Sequence, residues 1–438
     1  MNSSRFILSV LSKFEKNNIK YAVLRKAEEV EQGIAHDIDI TVDFTRITDV
    51  MHQLNHSATE MGWKRILVCE KDEGNLRTIH YAFNSEDKPQ IVHFDLFKAF
   101  SWNGLVIIAN QNLLYGTYKS GQVWCVSRSN EVVIKLLSTY IYHGYIKEEY
   151  KEDIAGFCQE NYETFVEQLS TCIGSDIAAE IATCAADGNW AELESKKNRV
   201  RESVKHKHKA GKFSKVKSVL FKLNRYIHAK GVLIAFLGTD GSGKSTIIEN
   251  IPRYLKNTFD ETQIKYYHWR PGFIKSPKGE KSGTDVTDPH KQKPYGKILS
   301  FLKFMYFNMD YILGYWFSVR LHLGKNELVI FDRYYYDYML DKCRYRLDIS
   351  DSIIIVMKRF IPKPNIAFLL VGDPKVLYMR KKELPIIELK NQVEKIKKVS
   401  EIIPNSYYID VNKSIDAVVV GVSNRILEFM SDREAKNQ

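Results

Sequence analysis

Apolar positions along this chain change their spacing three times, and each change marks a boundary. Over residues 1–128 helical and alternating patterns take turns. A helix is predicted over Arg5–Asn17, then a strand at Tyr21-Ala22-Val23-Leu24 and another over Ile38–Asp43. An amphipathic helix follows over Ile47–Met61, with strands near Lys64–Cys69, Arg77–Phe83 and Gln90–Phe97. From Asn130 to Val200 helical spacing dominates: Val132, Val133, Leu136, Leu137 and Tyr140, and later Phe165, Leu169 and Ile173. From Gly231 onward strands and helices alternate again, with strands expected at 232–237, 264–268, 327–331, 366–371 and 406–410. The reading is an α/β protein with four regions. These are an α+β domain at 1–128, a helical extension at 129–200, a basic connector at 201–230 and a parallel-sheet domain at 231–438.

The stretch between the two domains is a helix of its own kind. Phe213, Val216, Val219, Leu220, Leu223 and Ile227 recur at helical spacing, with Lys212, Lys215, Lys217, Lys222 and Arg225 between them. Residues 212–230 suit a linker packed on one domain, an anionic membrane surface, or non-specific contact with phosphate. No motif that reads nucleic acid accompanies them. Charge reinforces the boundary. The chain carries a net +11, yet Lys196–Lys230 holds thirteen Lys or Arg and one acid, Glu202. That local +12 leaves about −1 for everything else, so the basicity belongs to the connector.

Composition adds limits. At 44% hydrophobic and 27% charged, the chain is of the globular class. Its six Cys form no close pairs, which argues against a zinc site or disulfide framework and fits a reducing cytoplasm. The first residues have too short an apolar core for a signal peptide. The most apolar stretch, Phe304–Val319, contains Asp310 and is expected to be a buried helix rather than a membrane span. The expected location is cytoplasmic, or peripheral to a membrane if the connector docks there; an oligomer stays open.

The most specific motif is Gly238-Thr239-Asp240-Gly241-Ser242-Gly243-Lys244-Ser245-Thr246. Two glycines bracket four residues, then come Lys and a hydroxyl residue, the pattern of a phosphate-binding loop. The apolar run 232–237 before it reads as a buried strand, and Thr246–Asn250 opens a helix whose positive end faces the anion. Lys244 is expected to reach the β- and γ-phosphates of ATP, and Ser245 to hold Mg²⁺. Leu328–Phe331 ends in Asp332-Arg333-Tyr334, where the carboxylate can sit near Mg²⁺ and the guanidinium can clamp an acceptor phosphate.

Together these residues resemble the thymidylate kinase family over about 231–430. Arg270-Pro271-Gly272 echoes a family motif, and Ile366–Val371 with Asp373-Pro374-Lys375 and Tyr408–Asn412 fit as well. The resemblance implies Mg-ATP as donor, a parallel sheet wrapped by helices, and a lid whose cation here is Arg380, followed by Lys381 and Lys382. It also offers Asp240, Arg270 and Arg333 to the acceptor. Departures fall on the acceptor side. Leu237 stands where the family has Glu, Arg270-Pro271-Gly272-Phe273 lacks the Glu and the second Gly-Thr, and the Lys/Pro-rich segment Ser276–Lys297 has no counterpart. The acceptor is therefore expected to be a small molecule other than dTMP.

In the N-terminal domain His36-Asp37-Ile38-Asp39 places two carboxylates on one strand face, and His93-Phe94-Asp95 supplies a third on another strand. Three such acids can hold two metal ions for nucleotidyl transfer. With Tyr21–Arg25 they resemble the polymerase-β-like nucleotidyltransferase superfamily. The usual Gly-Ser is missing, with Leu24-Arg25-Lys26 in its place, so the domain is either active or degenerate and only binding. The whole reads as an ATP-dependent kinase fused to a nucleotidyltransferase-like domain, suited to sugar-nucleotide or surface-polysaccharide metabolism. Two rival readings are a non-catalytic ATP-binding scaffold and a kinase of lipid-linked glycans docked at a membrane.

Overall fold

The computed structural model describes residues 3–208, 214–274, 293–382 and 384–436. Lys212 and Phe213 of the connector, and Ser276–Gln292 of the Lys/Pro-rich segment, lie outside them. The chain divides into two compact units, one of residues 1–83, 90–221 and 433–438, the other of 84–89 and 222–432.

The first unit is built on a mixed seven-stranded sheet. Its strands are β1 (Tyr21–Val23), β2 (Asp37–Val42), β3 (Lys64–Lys71), β4 (Leu76–Phe83), β5 (Gln90–Phe97), β8 (Tyr118–Ser120) and β9 (Val123–Cys125), in the order β3-β4-β5-β2-β1-β9-β8; β6 (Ala99–Trp102) and β7 (Leu105–Ala109) pair separately. The helices Ser3–Lys16 and Ile47–Glu60 pack on the sheet, and Phe6 stacks on Trp63 with ring centroids 5.0 Å apart. β6 to β9 were not expected. The β6–β7 turn is Asn103-Gly104, both at positive φ, the two-residue hairpin signal that the sequence did carry. Residues 128–207 are helical, as their spacing indicates. The helix Arg128–His143 starts on a Ser127 cap and ends at Gly144, whose φ of +88° a side chain would strain. Its apolar face joins Phe165, Leu169 and Ile173 in a second core.

The second unit is a five-stranded, wholly parallel sheet of β10 (Val232–Gly238), β11 (Ile264–Tyr267), β12 (Leu328–Asp332), β13 (Ile366–Val371) and β14 (Ser406–Asp410). Its order is β11-β12-β10-β13-β14. Every residue of β10 is buried, which is why its sequence is an unbroken apolar run rather than an alternation. Helices cover the sheet, so the α/β class holds in both units. Strand order turns about β10, and ligands of such sheets bind beyond the carboxyl ends of the strands at that turning point.

The apolar stretch near Phe304 corrects one expectation. The helix Lys297–Gly314 and the π turn Tyr315–Val319 are one-sided rather than buried all round. Phe304, Phe307, Asp310 and Tyr311 face inward, while Leu302, Trp316 and Phe317 are exposed. The connector helix Ser214–Ile227 buries none of its residues, leaving Val216, Val219, Leu220, Leu223 and Ile227 exposed. Its last turn is tied instead by polar contacts, Tyr226 donating to the Trp316 carbonyl (2.9 Å) and Arg225 to that of Gly324 (3.0 Å). Among the described residues no helix is long and apolar enough to cross a membrane.

Candidate functional site

The loop 238–243 turns sharply from the end of β10 into the helix Lys244–Leu255. Gly241 (φ +79°) and Gly243 (φ +80°) make that turn without the strain a side chain would meet. A Cβ on Gly241 would also come within 2.9 Å of the Leu377 carbonyl, so the loop tip packs close to the helix Pro374–Arg380. Lys244 is buried, with Nζ donating to the carbonyls of Gly238 (2.8 Å) and Thr239 (2.9 Å). Burial, aided by the Arg333 guanidinium, lowers its ammonium to about 8. Ser242 is buried under the loop, whereas Ser245 and Thr246 are exposed at the start of the helix. Arg380 is also exposed, at the last position of the neighbouring helix.

Asp332 ends β12 directly beside β10, opposite Phe236. It is buried, and its Oδ1 has no hydrogen-bond partner among the described residues. Its Oδ2 accepts from Tyr266 (3.3 Å), and His268 Nδ1 stands 3.7 Å away. Arg333, at a φ of +73°, turns its side chain onto the phosphate loop. It donates to Asp240 Oδ1 (2.7 Å) and to Asp337 Oδ2 (3.2 Å). Arg344 closes on the other oxygen of Asp240 and on Asp341 (3.3 Å). Burial acts to raise the Asp240 carboxyl, but Arg333, Arg344 and Lys244 outweigh it and hold it well below the usual carboxylate range. Between these groups is a cavity of about 10 Å³. Arg270 pairs with the buried Asp310 (3.1 Å) and lies against Trp269, Tyr306 and Phe307. Asp310 in turn accepts from the Gly272 and Ile274 amides, so this pair fastens the loop after β11.

Sequence reasoning thus named the loop, Asp332, Arg333 and Arg270, and missed Arg344, Asp337, Asp341, Tyr266 and His268. Asp337 follows Arg333 at helical pair spacing, which is a usable signal. Arg344 lies 104 residues from Asp240, and no local pattern links them.

In the first unit Asp37, Asp39 and Asp95 do come together on one face. β2 is parallel to β5, with Asp39 opposite Asp95 and Asp37 opposite His93. β4 adds Thr78 beside Asp95 and His80 beside His93. The three acids differ in state. Asp37 is exposed and 3.8 Å from His93, whose contact lowers its carboxyl to about 2. Asp39 is held by Arg25 Nε at 2.5 Å, and the same guanidinium donates to Ser138 (2.9 Å). Asp95 is half-buried, its buried Oδ1 has no hydrogen-bond partner among the described residues, and desolvation raises its carboxyl above the usual range. Among the described residues no group of three or more His, Cys, Asp or Glu is arranged to hold a metal ion. A cleft of about 400 Å³ adjoins Arg25, lined by Lys26, Arg128, Glu131, Lys135, Glu149 and Asp153.

No family model matches the chain, and neither does any curated protein. Among solved structures it is similar to thymidylate kinase from Ehrlichia chaffeensis, with 20% identity over 44% of this chain and 97% of that one. The TM-score is 0.30.

Proposed function

We propose that the second unit is an ATP-dependent phosphotransferase. The observation that carries this is the loop itself. A buried lysine is held by two loop carbonyls at the head of a helix whose first hydroxyls, Ser245 and Thr246, are exposed. Such a loop presents backbone N–H groups and a helix N-terminus to an anion. Lys244 is then drawn from the carbonyls of Gly238 and Thr239 to phosphate oxygens, and its charge stabilises the transition state. Arg380, exposed at the end of the helix packed against Gly241, is the cation we assign to the same phosphates.

Mg²⁺ suits these residues. Ser245 offers an exposed hydroxyl, and Asp332 a buried carboxylate oxygen without a partner among the described residues. These two would hold it, and its charge would offset that on the phosphates. In the first unit the fit fails, because Arg25 already neutralises Asp39 and the Asp95 carboxyl lies where ionisation is disfavoured. No nucleotidyl-transfer step follows from that cluster.

The test is transfer of label from γ-labelled ATP to the small-molecule fraction of a cell extract, by the full chain and by Lys244→Ala. The expected result is a labelled product from the unaltered chain only. Equal transfer by a folded Lys244→Ala protein would remove this site assignment.

A further inference from the structure

We propose that the second unit docks on an anionic membrane surface through the connector helix and the apolar residues of 316–321 beside it. The proposal is independent of the phosphotransferase reading, and its failure would leave that reading untouched.

The connector helix Ser214–Ile227 carries an apolar stripe, yet none of its residues is buried. A surface helix of a globular protein ordinarily turns such a stripe toward a core. Here Leu223 is 49% exposed and Ile227 53%, and Val219 and Leu220 continue the stripe one turn earlier. A second exposed set stands next to it. Trp316, Phe317 and Leu321 are all exposed, and Phe273, exposed as well, stacks on Phe317 with ring centroids 5.6 Å apart.

Backbone acceptors hold the two sets side by side. The Trp316 carbonyl accepts from Tyr226 (2.9 Å), that of Ile227 from Arg320 (2.6 Å) and that of Gly324 from Arg225 (3.0 Å). A Cβ on Gly324 would come within 3.2 Å of the Arg225 carbonyl, so the two segments touch backbone to backbone there. Residues 222–227, 273 and 316–324 all belong to the second unit. The exposed apolar residues thus lie at, or next to, the points where the segments meet. Contiguous apolar surface of this kind marks an interaction site.

Charge selects the occupant. Ser214–Lys230 holds five Lys or Arg and no acid. Lys293–Lys325 holds five more and one acid, Asp310, which is buried and paired with Arg270. Lys215, Lys217, Lys222 and Lys325 are exposed. A second copy of the chain, meeting this face across a two-fold axis, would set these cations against themselves. A nucleic acid would answer the cations and leave the aliphatic side chains in water. An anionic bilayer surface answers both. Its headgroup–acyl boundary takes up the aliphatic and aromatic side chains, while the lysine stems reach back to the lipid phosphates. Among the described residues no helix is long and apolar enough to cross a membrane, so the contact lies in the plane of the interface.

The experiment is co-sedimentation of the full chain with vesicles. One set is phosphatidylcholine alone, and the other contains about one third phosphatidylglycerol. The expected result is binding to the anionic vesicles at least about tenfold tighter than to the neutral ones, weakened as salt shortens the Debye length. Two double variants separate the contributions. Leu223→Ser with Trp316→Ser should lower binding to the anionic vesicles about tenfold or more, since two exposed apolar side chains no longer enter the boundary. Lys217→Glu with Lys222→Glu should abolish the preference for anionic lipid. All four positions are exposed, so both variants should unfold at the temperature of the unaltered protein, which shows that the losses are not failures to fold. No binding to the anionic vesicles would overturn the proposal. Loss in the charge variant with full binding by the apolar one would also overturn it, leaving a surface for any polyanion. So would a dimer of the unaltered chain in sedimentation equilibrium that the apolar variant dissociates, because a second copy would then cover the face.

Discussion

Asp332 and Asp39 both stand on strands of a central sheet, and they are in opposite conditions. Asp332 keeps one carboxylate oxygen without a partner among the described residues, in the same unit as the glycine-rich loop and its buried lysine. Asp39 is closed by the chain's own cation, Arg25, which a serine anchors from behind. The difference lies not in the carboxylates themselves but in what faces them. What matters is whether the protein has already supplied the opposing charge. An arginine, always ionised, is a permanent counter-ion. Arg25 thus already serves Asp39, whereas Asp332 Oδ1 has no hydrogen-bond partner among the described residues.

The largest effect that would break this contrast is catalytic. Lys244→Ala is expected to lower phosphoryl transfer about 10²-fold or more, since one charged contact to the developing transition state is lost. Asp39→Asn should leave the same rate unchanged. If Asp39→Asn reduces it as strongly, the two acidic sites act in one reaction and the comparison is wrong.

Next comes the Arg25 pair. Arg25→Ala leaves Asp39, 12% exposed, without its partner and is expected to cost about 1–3 kcal/mol in thermal unfolding. Mn²⁺ should then restore part of that loss in the variant, because a cation position has been vacated, and should not move the melting temperature of the unaltered protein. A clear Mn²⁺ stabilisation of the unaltered protein would show that Arg25 does not displace metal.

A smaller effect reads Lys244 directly. Its ammonium is held near 8, against an ordinary 10.5, by burial and by Arg333. Bound phosphate favours the charged form, so nucleotide binding raises this value and takes up a proton between the two. If the ordinary value is fully restored, uptake is about 0.9 proton at pH 9 and under about 0.1 at pH 7. Calorimetry of ATP binding in two buffers of different ionisation enthalpy measures it. Equal proton counts at both pH values would mean that Lys244 does not meet the phosphates.

Much of this was legible in the sequence, and the reasons differ by element. β5 and β13 fall where the apolar pattern places them, because a strand buried on a sheet must alternate or run continuously apolar. The phosphate loop was readable since its glycines, lysine and hydroxyls are contiguous. The short strands β8 and β9 were not, as three residues carry too little periodicity. Arg25 was visible as a departure from a family pattern, but its pairing with Asp39 depends on where β1 lies in the sheet. The clasp of Arg344 on Asp240 is a tertiary event between residues 104 apart in the chain. The one-sided character of Lys297–Gly314 was hidden because its exposed face is also apolar, with Ile298, Leu299 and Leu302 on it.

The smallest effect tests the other half of the N-terminal balance. Burial raises the Asp95 carboxyl above the usual range, and its Oδ1 has no partner among the described residues. The sign follows from linkage. Below the unfolded value of 3.8 the group is protonated in both states and costs nothing. As pH rises through the raised native value, the unfolded chain releases its proton freely while the native carboxyl resists, so this group's contribution to stability falls. Asn has nearly the same shape and cannot ionise. Asp95→Asn should therefore match the unaltered protein near pH 4 and be slightly more stable at pH 7–8. The gain is expected to be about 1 kcal/mol or less, roughly 2–4 °C for a unit of this size. Thermal unfolding at both pH values decides it. If Asp95→Asn is instead less stable at neutral pH, the carboxylate is ionised and wanted there, a cation other than Arg25 must be serving it, and the N-terminal cluster would belong with Asp332 after all.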